Sequence, residues 1–430
     1  MMLARVILAV TSATSLRLIG LVGLLGWAIA FAVWTAQLPP TSDDGQEAIG
    51  GDLISFYTAG TLLLHGQGAS LYDLKLQYDT QHVLIGNPEA QSLCSYVNPP
   101  LLAIVMAPLA LLPLKAAFVG YSMLAFAAFW GGMWLLRSEL RIVREHWVAA
   151  VGLGFLFPPF CVSITGGQNT ALSFLLISGL YVFLRRGRVI AAGVMLGLLS
   201  YKPQLGFLIG VLLLVRGEWR VASVAALTVA AHFVGGALVC GWDWPVKLQQ
   251  TLQNYWPLEH QFNGFKSIAL LGACQFMLPE EWWRLVGGGI SAALALGAAV
   301  LWRRTPIENA RFPALYAATV ALTLTVSPHT VWYDAGLLLV PCLLLLDLRC
   351  AGEMHVSAGT RLVLVAAFFL PACFGFGAAL GWQPVAALPL AVLACAAADY
   401  IHKRGTAEIS RPSCPPDGAP LEPSPAAARI

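Results

Sequence analysis

Charged residues are scarce in this chain: Asp, Glu, Lys and Arg make up 11% of its 430 residues, against roughly 25% in an ordinary soluble domain. Hydrophobic residues make up 58%, and the mean hydropathy is +0.72. Together these values exclude a soluble globular protein. The net charge of +3 by itself says nothing about nucleic acid, and we predict no nucleic-acid partner. Because a backbone in lipid must satisfy its polar groups internally, the composition predicts an all-α polytopic integral membrane protein.

Metal-binding patterns are also missing. None of the nine cysteines forms a Cys-x-x-Cys pair or a Cys/His cluster, and no His/Asp/Glu spacing resembles a zinc site. We therefore predict no metal and no cofactor. The scattered cysteines are interpreted as small apolar packing residues, and a disulfide that involves Cys94 is left open.

Apolar runs from residue 15 to residue 401 predict about twelve transmembrane helices. The first run, from Leu18 to Val33, is read as a retained helix rather than a cleaved signal, because no small-x-small cleavage site follows it. Residues 1–403 are predicted to form one membrane domain, and the Pro/Ala/Ser-rich residues 404–430 a disordered cytoplasmic tail. The predicted spans are 15–37, 115–137, 147–164, 169–184, 189–201, 203–215, 220–240, 283–302, 312–327, 332–348, 360–381 and 384–401.

The arginines set the predicted orientation. With the N-terminus inside, one set of loops takes 18 of the 19 arginines and one of the six lysines, while the other side keeps only Arg284 and five lysines. By the positive-inside rule the arginine-rich side is cytoplasmic. The other polar segments then all fall on the extracytoplasmic side, namely 38–114, 165–169, 201–204, 241–282 and 327–334.

Two segments on the extracytoplasmic side are predicted not to cross the membrane. The apolar run Leu101–Leu112 follows the paired prolines Pro99 and Pro100 and is too short for a comfortable crossing, so we read it as re-entrant. The stretch from Trp242 to Trp256 carries one apolar stripe and predicts an interfacial helix. That helix either anchors the protein at the membrane surface or borders a lateral opening for a lipid.

Asp52 is the candidate catalytic residue, and it immediately precedes a helix predicted over Leu53–Leu64. The position is typical of an N-cap, whose carboxylate accepts hydrogen bonds from unpaired backbone N–H groups. A carboxylate near water can also take the proton of a substrate hydroxyl. Both interpretations are open.

Lys202 and His329 are the candidate anion-binding residues. A lysine between apolar segments either snorkels to the membrane surface or faces a polar cavity. Because Pro203 breaks the helix directly after Lys202, we predict that the ammonium group binds an anion, and phosphate above all. For His329, one interpretation is a role at the substrate with the neighbouring Tyr333 and Asp334, and the other is an anchor at headgroup level.

The polar segments follow one another between about residue 50 and residue 340 as Asp52…Phe56-Tyr57-x-Ala59-Gly60…Gly66…Leu71-Tyr72-Asp73, Tyr96-x-x-Pro99-Pro100, Gly167-Gln168-Asn169, Tyr201-Lys202-Pro203 and Ser327-Pro328-His329…Tyr333-Asp334. In this order they resemble glycosyltransferase family 87, which is typified by a polyprenyl-phosphate-mannose-dependent mannosyltransferase. Asn98 departs from the family's pattern, because an aromatic residue is expected before the two prolines.

The resemblance implies a GT-C fold with its site on the extracytoplasmic face of a bacterial inner membrane. It implies an inverting transfer of a sugar, mannose above all, from a polyprenyl-phosphate donor to a lipid or glycan acceptor. Asp52 would be the general base, and Lys202 with His329 would neutralise the leaving phosphate. The implied substrate-binding residues are Tyr57, Gln168, Asn169, Tyr333 and Asp334.

Two rival classes are weighed against this. A polytopic lipid or glycolipid transporter or flippase favours internal repeats and polar groups near the membrane midplane. No repeat is convincing here, and the polar groups gather on one side. A noncatalytic scaffold has no use for the ordered polar motifs.

Overall fold

The computed structural model describes residues 13–37, 48–90, 94–351, 358–373, 375–380 and 383–409. Within these ranges the chain forms twenty α-helices joined by short turns and 3-10 segments, and an isolated antiparallel bridge joins Ser267 and Val331. The helices are α1 Ala13–Gln37, α2 Leu53–Leu64, α3 Leu74–Ile85, α4 Pro100–Met106, α5 Leu114–Arg137, α6 Arg141–Glu145, α7 Trp147–Leu156, α8 Pro158–Thr165, α9 Thr170–Arg185, α10 Val189–Leu198, α11 Pro203–Arg216, α12 Trp219–Cys240, α13 Trp244–Asn263, α14 Leu270–Met277, α15 Glu280–Arg304, α16 Phe312–Val326, α17 Leu339–Ala351, α18 Ala358–Phe369, α19 Phe376–Leu380 and α20 Ala387–Ile409.

Five helices are long and apolar enough to cross a membrane: α1, α5, α12, α15 and the segment that contains the first part of α20. A sixth span is formed if α7 and α8 are counted together, although they meet at an angle of 60°. The break falls at Pro158 and Pro159, which cannot continue the hydrogen-bond ladder of α7. Six other apolar helices have 10–17 residues, fewer than the roughly 20 that a straight crossing needs. The chain is therefore a helical membrane protein, and the count of twelve spans stays a prediction.

The shorter helices lie close to the positions that the sequence predicts for them. Helix α2 covers Leu53–Leu64 and is followed by Gly66 with φ +69°. The run 101–112 is divided between α4 and the 3-10 segment Leu109–Leu111, so neither piece spans a membrane. The predicted interfacial helix is α13, with Pro257 inside it. Helix α20 continues to Ile409, into the start of the predicted tail, and residues 410–430 lie outside the described residues.

An aromatic cluster fixes the centre of the helical bundle. Phe129 of α5, Phe155 of α7, Phe160 of α8 and Phe174 of α9 are fully buried, with ring centroids 5.1–5.5 Å apart. Such aromatic pairs add about 0.5–1.5 kcal/mol each beyond their buried area. The cluster holds α8 and α9 together on either side of the turn 165–169, one of the candidate functional segments.

Contacts between helix ends fall into two sets. On the first, which we call the arginine face, Arg185 donates to the carbonyl of Ile307, Arg186 pairs with Glu139, and Arg216 donates to the carbonyls of Trp302 and Thr305. Cations at helix C-termini satisfy the last carbonyls and complement the helix dipole. The other set, which we call the site face, joins the turns around Asp52, Gln168, Lys202 and Asp334.

Candidate functional site

Asp52 stands at the N-cap position of α2, but its side chain makes no capping hydrogen bond. Instead, its Oδ1 accepts a hydrogen bond from the thiol of Cys94 at 3.1 Å, and its Oδ2 accepts one from the side-chain amide of Gln168. The capping interpretation is therefore wrong for the carboxylate. Both of its oxygens are oriented by neutral donors rather than by a cation, and the residue keeps partial exposure.

Two glycine turns allow Asp52 and Gln168 to meet. Gly50 and Gly167 both have positive φ, at +82° and +66°. A Cβ atom on Gly167 would lie 2.5 Å from the Cβ of Leu53 and 2.6 Å from the carbonyl oxygen of Gly50. Only glycine allows the two backbones to approach this closely in these conformations. The sequences Gly-Gly-Asp and Gly-Gly-Gln are thus two halves of one packed contact.

The thiol of Cys94 is placed by a pair of buried glutamines on α3. Gln81 donates to the backbone carbonyl of Cys94 at 2.7 Å and accepts from its N–H at 3.0 Å. Gln77 makes the same two contacts with Tyr96, at 3.2 and 2.7 Å. Glutamines four residues apart share one helix face, and they reach alternate residues of the extended segment 94–96. This arrangement, which we call the glutamine clamp, fixes the segment that carries Cys94.

The hydroxyl of Tyr96 connects the same segment to the paired prolines. It donates to the carbonyl of Pro99 at 2.6 Å and accepts from the N–H of Ala103 at 3.1 Å, an unpaired donor in the first turn of α4. Burial raises the pKa of Tyr96, so the hydroxyl stays neutral and can serve both bonds. The motif Tyr96-x-x-Pro99-Pro100 therefore has a structural explanation.

Asn169 is buried next to Gln168, with 4% of its surface exposed. Its backbone carbonyl accepts a hydrogen bond from the hydroxyl of Tyr201 at 3.2 Å. Neither polar atom of its side-chain amide has a hydrogen-bond partner within the described ranges. A buried amide without partners is costly, and a substrate that supplies hydroxyl groups would satisfy it.

Lys202 forms a buried ion pair. Its Nζ lies 3.0 Å from Oδ1 of Asp334 and 5.4 Å from the ring centroid of Tyr333. The backbone N–H of Val331 donates to Oδ2 of Asp334 at 3.2 Å. The contact with Asp334 is the one hydrogen bond that the ammonium group makes within the part of the chain that the structure describes. Since an ammonium group has three donors, Lys202 keeps capacity for an anion.

The predicted residues thus form a connected set. Asp52 contacts Gln168, Tyr201 contacts Asn169, and Lys202 contacts Asp334 and Tyr333, so that the turns 165–169, 199–203 and 327–334 meet. Thr170 adds a hydrogen bond of 3.4 Å to the carbonyl of Tyr333.

Tyr57 and His329 are the other two predicted residues. The hydroxyl of Tyr57 donates to the backbone carbonyl of Leu112 at 2.7 Å, so it ties α2 to the loop before α5. His329 is partly buried, and its carbonyl accepts a hydrogen bond from Ser327 at 3.2 Å. The roles that the sequence predicts for Tyr57 and His329 stay predictions.

Sequence reasoning missed Cys94, Gln77 and Gln81. The interpretation of Cys94 as a packing residue is wrong, because its thiol contacts the candidate base, and it is not part of a disulfide. The signal that could have found the clamp is the pair of glutamines at i and i+4 on an otherwise ordinary helix. Among the described residues, no group of three or more His, Cys, Asp or Glu is placed to hold a metal ion.

Comparison with known proteins yields one match. The family model described as glycosyltransferase family 87 covers residues 96–328, more than half of the chain. No curated protein and no solved structure matches it. The matched range includes Gln168, Asn169 and Lys202, while Asp52 and residues 329–334 lie outside it. The resemblance noted in the sequence is confirmed: this chain belongs to glycosyltransferase family 87.

Proposed function

We propose that this glycosyltransferase transfers a sugar, which we assign as mannose, from a polyprenyl-phosphate donor to a hydroxyl group of a lipid or glycan acceptor. The reaction inverts the anomeric carbon and takes place on the site face. We assign that face to the extracytoplasmic side of a bacterial inner membrane, in a GT-C fold with about twelve spans. The positive-inside distribution of the arginines supports this orientation.

The observation that carries the proposal is the geometry of Asp52. Asp52 occupies an N-cap position, but its carboxylate accepts no hydrogen bond from the backbone of the helix. We infer that the carboxylate has a role other than capping. Here its two oxygens are held by Cys94 and Gln168, and the same turn leads through Asn169 and Tyr201 to Lys202. Transfer from a sugar phosphate needs a base for the acceptor hydroxyl and a cation for the leaving phosphate, and this connected set contains both.

In the proposed reaction, Asp52 removes the proton of the acceptor hydroxyl as its oxygen attacks the anomeric carbon. The bond between that carbon and the phosphate oxygen breaks, and its electron pair leaves with the lipid phosphate. Lys202, with His329, stabilises the negative charge that builds on this phosphate, as preorganised cations do in other enzymes. Asn169, Gln168, Tyr333 and Tyr57 are assigned to the hydroxyl groups of the substrates, and Asp334 orients Lys202. One base suffices, because a phosphate needs little protonation to leave.

The proposal is tested by Asp52→Asn. Loss of a general base lowers the rate by about 10²–10⁴-fold, so transfer from a polyprenyl-phosphate mannose by the purified variant is expected to fall within that range. The matched control is Asp73→Asn on the same face. Asp73 is a true N-cap, whose side chain accepts from the N–H of Leu76 at 3.1 Å, and asparagine caps a helix equally well.

Equal transfer by Asp52→Asn and the wild type would remove the base assignment. A folded wild type that transfers no sugar from any polyprenyl-phosphate donor would overturn the donor assignment.

A further inference from the structure

A cavity separate from the residues described above lies on the site face, between α13, α14 and α15. Its volume is about 660 Å³, within the range of small-molecule sites. None of the residues assigned above to the transfer reaction lines it. Its walls include Gln249, Leu252, Gln253, Gln275, Trp283 and Arg284.

The chemistry of the walls suits a hydroxyl-rich ligand. Three glutamine amides from two helices offer both donors and acceptors, which hydroxyl groups can satisfy in either sense. Trp283 adds a large apolar ring that can pack against the carbon skeleton of a polyol or sugar. The described residues of the lining include no carboxylate, so none of them opposes a ligand with negative charge.

Arg284 provides the positive charge of the cavity. Its guanidinium carbon lies 4.8 Å from the ring centroid of Trp283, a cation–π contact that orients it. Glu280 precedes it by four residues, the spacing of helical ion pairs, yet no ion pair joins Arg284 to any residue in the described ranges. It is also the one arginine of 19 that the topology assigns to the extracytoplasmic side. Its charge is thus available to an anion.

The surroundings of the cavity connect it with both the catalytic set and the membrane surface. Thr251 of α13 donates to the carbonyl of Tyr72, and the N–H of Ile268 donates to the carbonyl of Thr330, in the segment that carries Asp334. On the other side, Trp242, two residues before α13, and Val246 in its first turn are 66% and 56% exposed, as expected for a helix that lies at a lipid surface.

We propose that this cavity binds the phosphate-bearing, hydroxyl-rich headgroup of the lipid acceptor. Arg284 binds the phosphate, the glutamine amides bind the hydroxyl groups, and Trp283 packs against the apolar side of the headgroup. The identification of the ligand as the acceptor rests on the proposed function. The binding itself does not, and it can be measured without transfer.

The test is equilibrium binding of dihexanoyl phosphatidylglycerol to the full-length protein in detergent. The Asp52→Asn variant serves as the background, so that sugar transfer does not interfere with the measurement. Arg284→Gln is expected to bind this lipid about tenfold more weakly or worse, because a charge-assisted hydrogen bond to phosphate is lost. The matched control is Lys247→Gln, a cation on the same face that already pairs with Asp243 at 2.9 Å. It should bind the lipid as the unmodified background does.

Two further ligands complete the design. Dihexanoyl phosphatidylcholine has a zwitterionic headgroup, with a phosphate and a quaternary ammonium but no hydroxyl groups, and should bind at least tenfold more weakly than the glycerol lipid. Glycerol phosphate carries the headgroup chemistry without the lipid and should also bind more weakly.

Equal binding by Arg284→Gln, or equal binding of the choline lipid, would overturn the site. Equal affinity for glycerol phosphate would overturn its assignment to a lipid. A protein that binds as expected but transfers no sugar would refute the proposed function alone.

In a transfer assay with the acceptor once it is identified, Arg284→Gln in the otherwise wild-type protein should raise the KM for the acceptor about tenfold. The donor KM should not change. A rise in the donor KM instead would place Arg284 with the donor and contradict the proposal.

Discussion

Among the described residues, two ion pairs have all of their side chains buried, one at each end of the helices, and they differ in how completely the two partners bind each other. On the arginine face, Arg349 binds Asp399 through two hydrogen bonds of 2.8 and 2.5 Å. On the site face, Lys202 binds Asp334 through one hydrogen bond of 3.0 Å. The exposed fractions of the four side chains are similar, between 4% and 9%, so burial alone does not separate the pairs.

The geometry separates them. The guanidinium of Arg349 and the carboxylate of Asp399 face each other with two parallel bonds, which satisfy both carboxylate oxygens and join α17 to α20. The ammonium of Lys202 makes one bond to its carboxylate and keeps two donors. Its neighbour Tyr201 contacts Asn169, whose side-chain amide has no partner in the described ranges. The first pair is a closed structural contact, while the second has the capacity to bind a ligand.

The largest expected effect comes from the replacement of each whole pair by apolar residues. Removal of both charges of a buried pair is often neutral for stability, since no lone charge remains. Lys202→Met with Asp334→Leu should therefore fold, yet lose about 10²–10³-fold in transfer rate, the usual loss for a group that stabilises developing charge. Arg349→Met with Asp399→Leu should keep its transfer rate within about twofold.

Both variants are assayed for transfer from a polyprenyl-phosphate mannose in proteoliposomes, after equal recovery of folded protein is checked. If the two double variants lose activity equally, the distinction between an open and a closed pair is wrong.

The next effect concerns the glycine turns of the two faces. Gly167 on the site face and Gly187 on the arginine face have nearly the same φ, +66° and +62°, but a Cβ on Gly187 would have no atom within 4 Å. Gly187→Ala should cost about 1 kcal/mol in the free energy of unfolding, from conformational strain alone. Gly167→Ala should cost about 2–3 kcal/mol, because strain and a steric clash combine.

The measurement is unfolding of each variant in mixed micelles, together with its transfer rate. Gly167→Ala should also lower transfer, because it separates Gln168 from Asp52. Equal losses of stability in the two variants would show that the close approach of the two turns is unimportant.

The smallest expected effect comes from Cys94. Cys94→Ala removes one donor from the carboxylate of Asp52 and should lower kcat about tenfold, with little change in KM, since hydrogen bonds to charged groups contribute about 1.5–3 kcal/mol. Cys94→Ser restores a donor and should recover most of the rate. Cys161→Ala, whose thiol donates only to the carbonyl of Phe155, should have no effect on kcat. Full activity of Cys94→Ala would show that the thiol is not needed to position the base.

The sequence predicted the local elements well where their signals are local. The bounds of α2 follow from its apolar run and from Gly66. The span predicted over 147–164 is instead divided into α7 and α8 at Pro158 and Pro159, with a bend of 60°. The capping interpretation of Asp52 was wrong for a physical reason: the position in the helix is that of an N-cap, but two donors from distant segments compete for the carboxylate. Residues 94 and 168 cannot be assigned to it from their spacing along the chain.

What the sequence determined by itself is the membrane class, the arginine distribution and the family, because composition, apolar length and ordered motifs all lie along the chain. Only the tertiary structure decided which polar groups satisfy one another. It assigned Cys94 and Gln168 to Asp52 and Asp334 to Lys202. Within the described ranges it left the side-chain amide of Asn169 without a hydrogen bond and Arg284 without an ion pair. The physical reason is that a buried polar group takes its partner from whatever the packing brings within 3 Å, and that partner is often more than a hundred residues away.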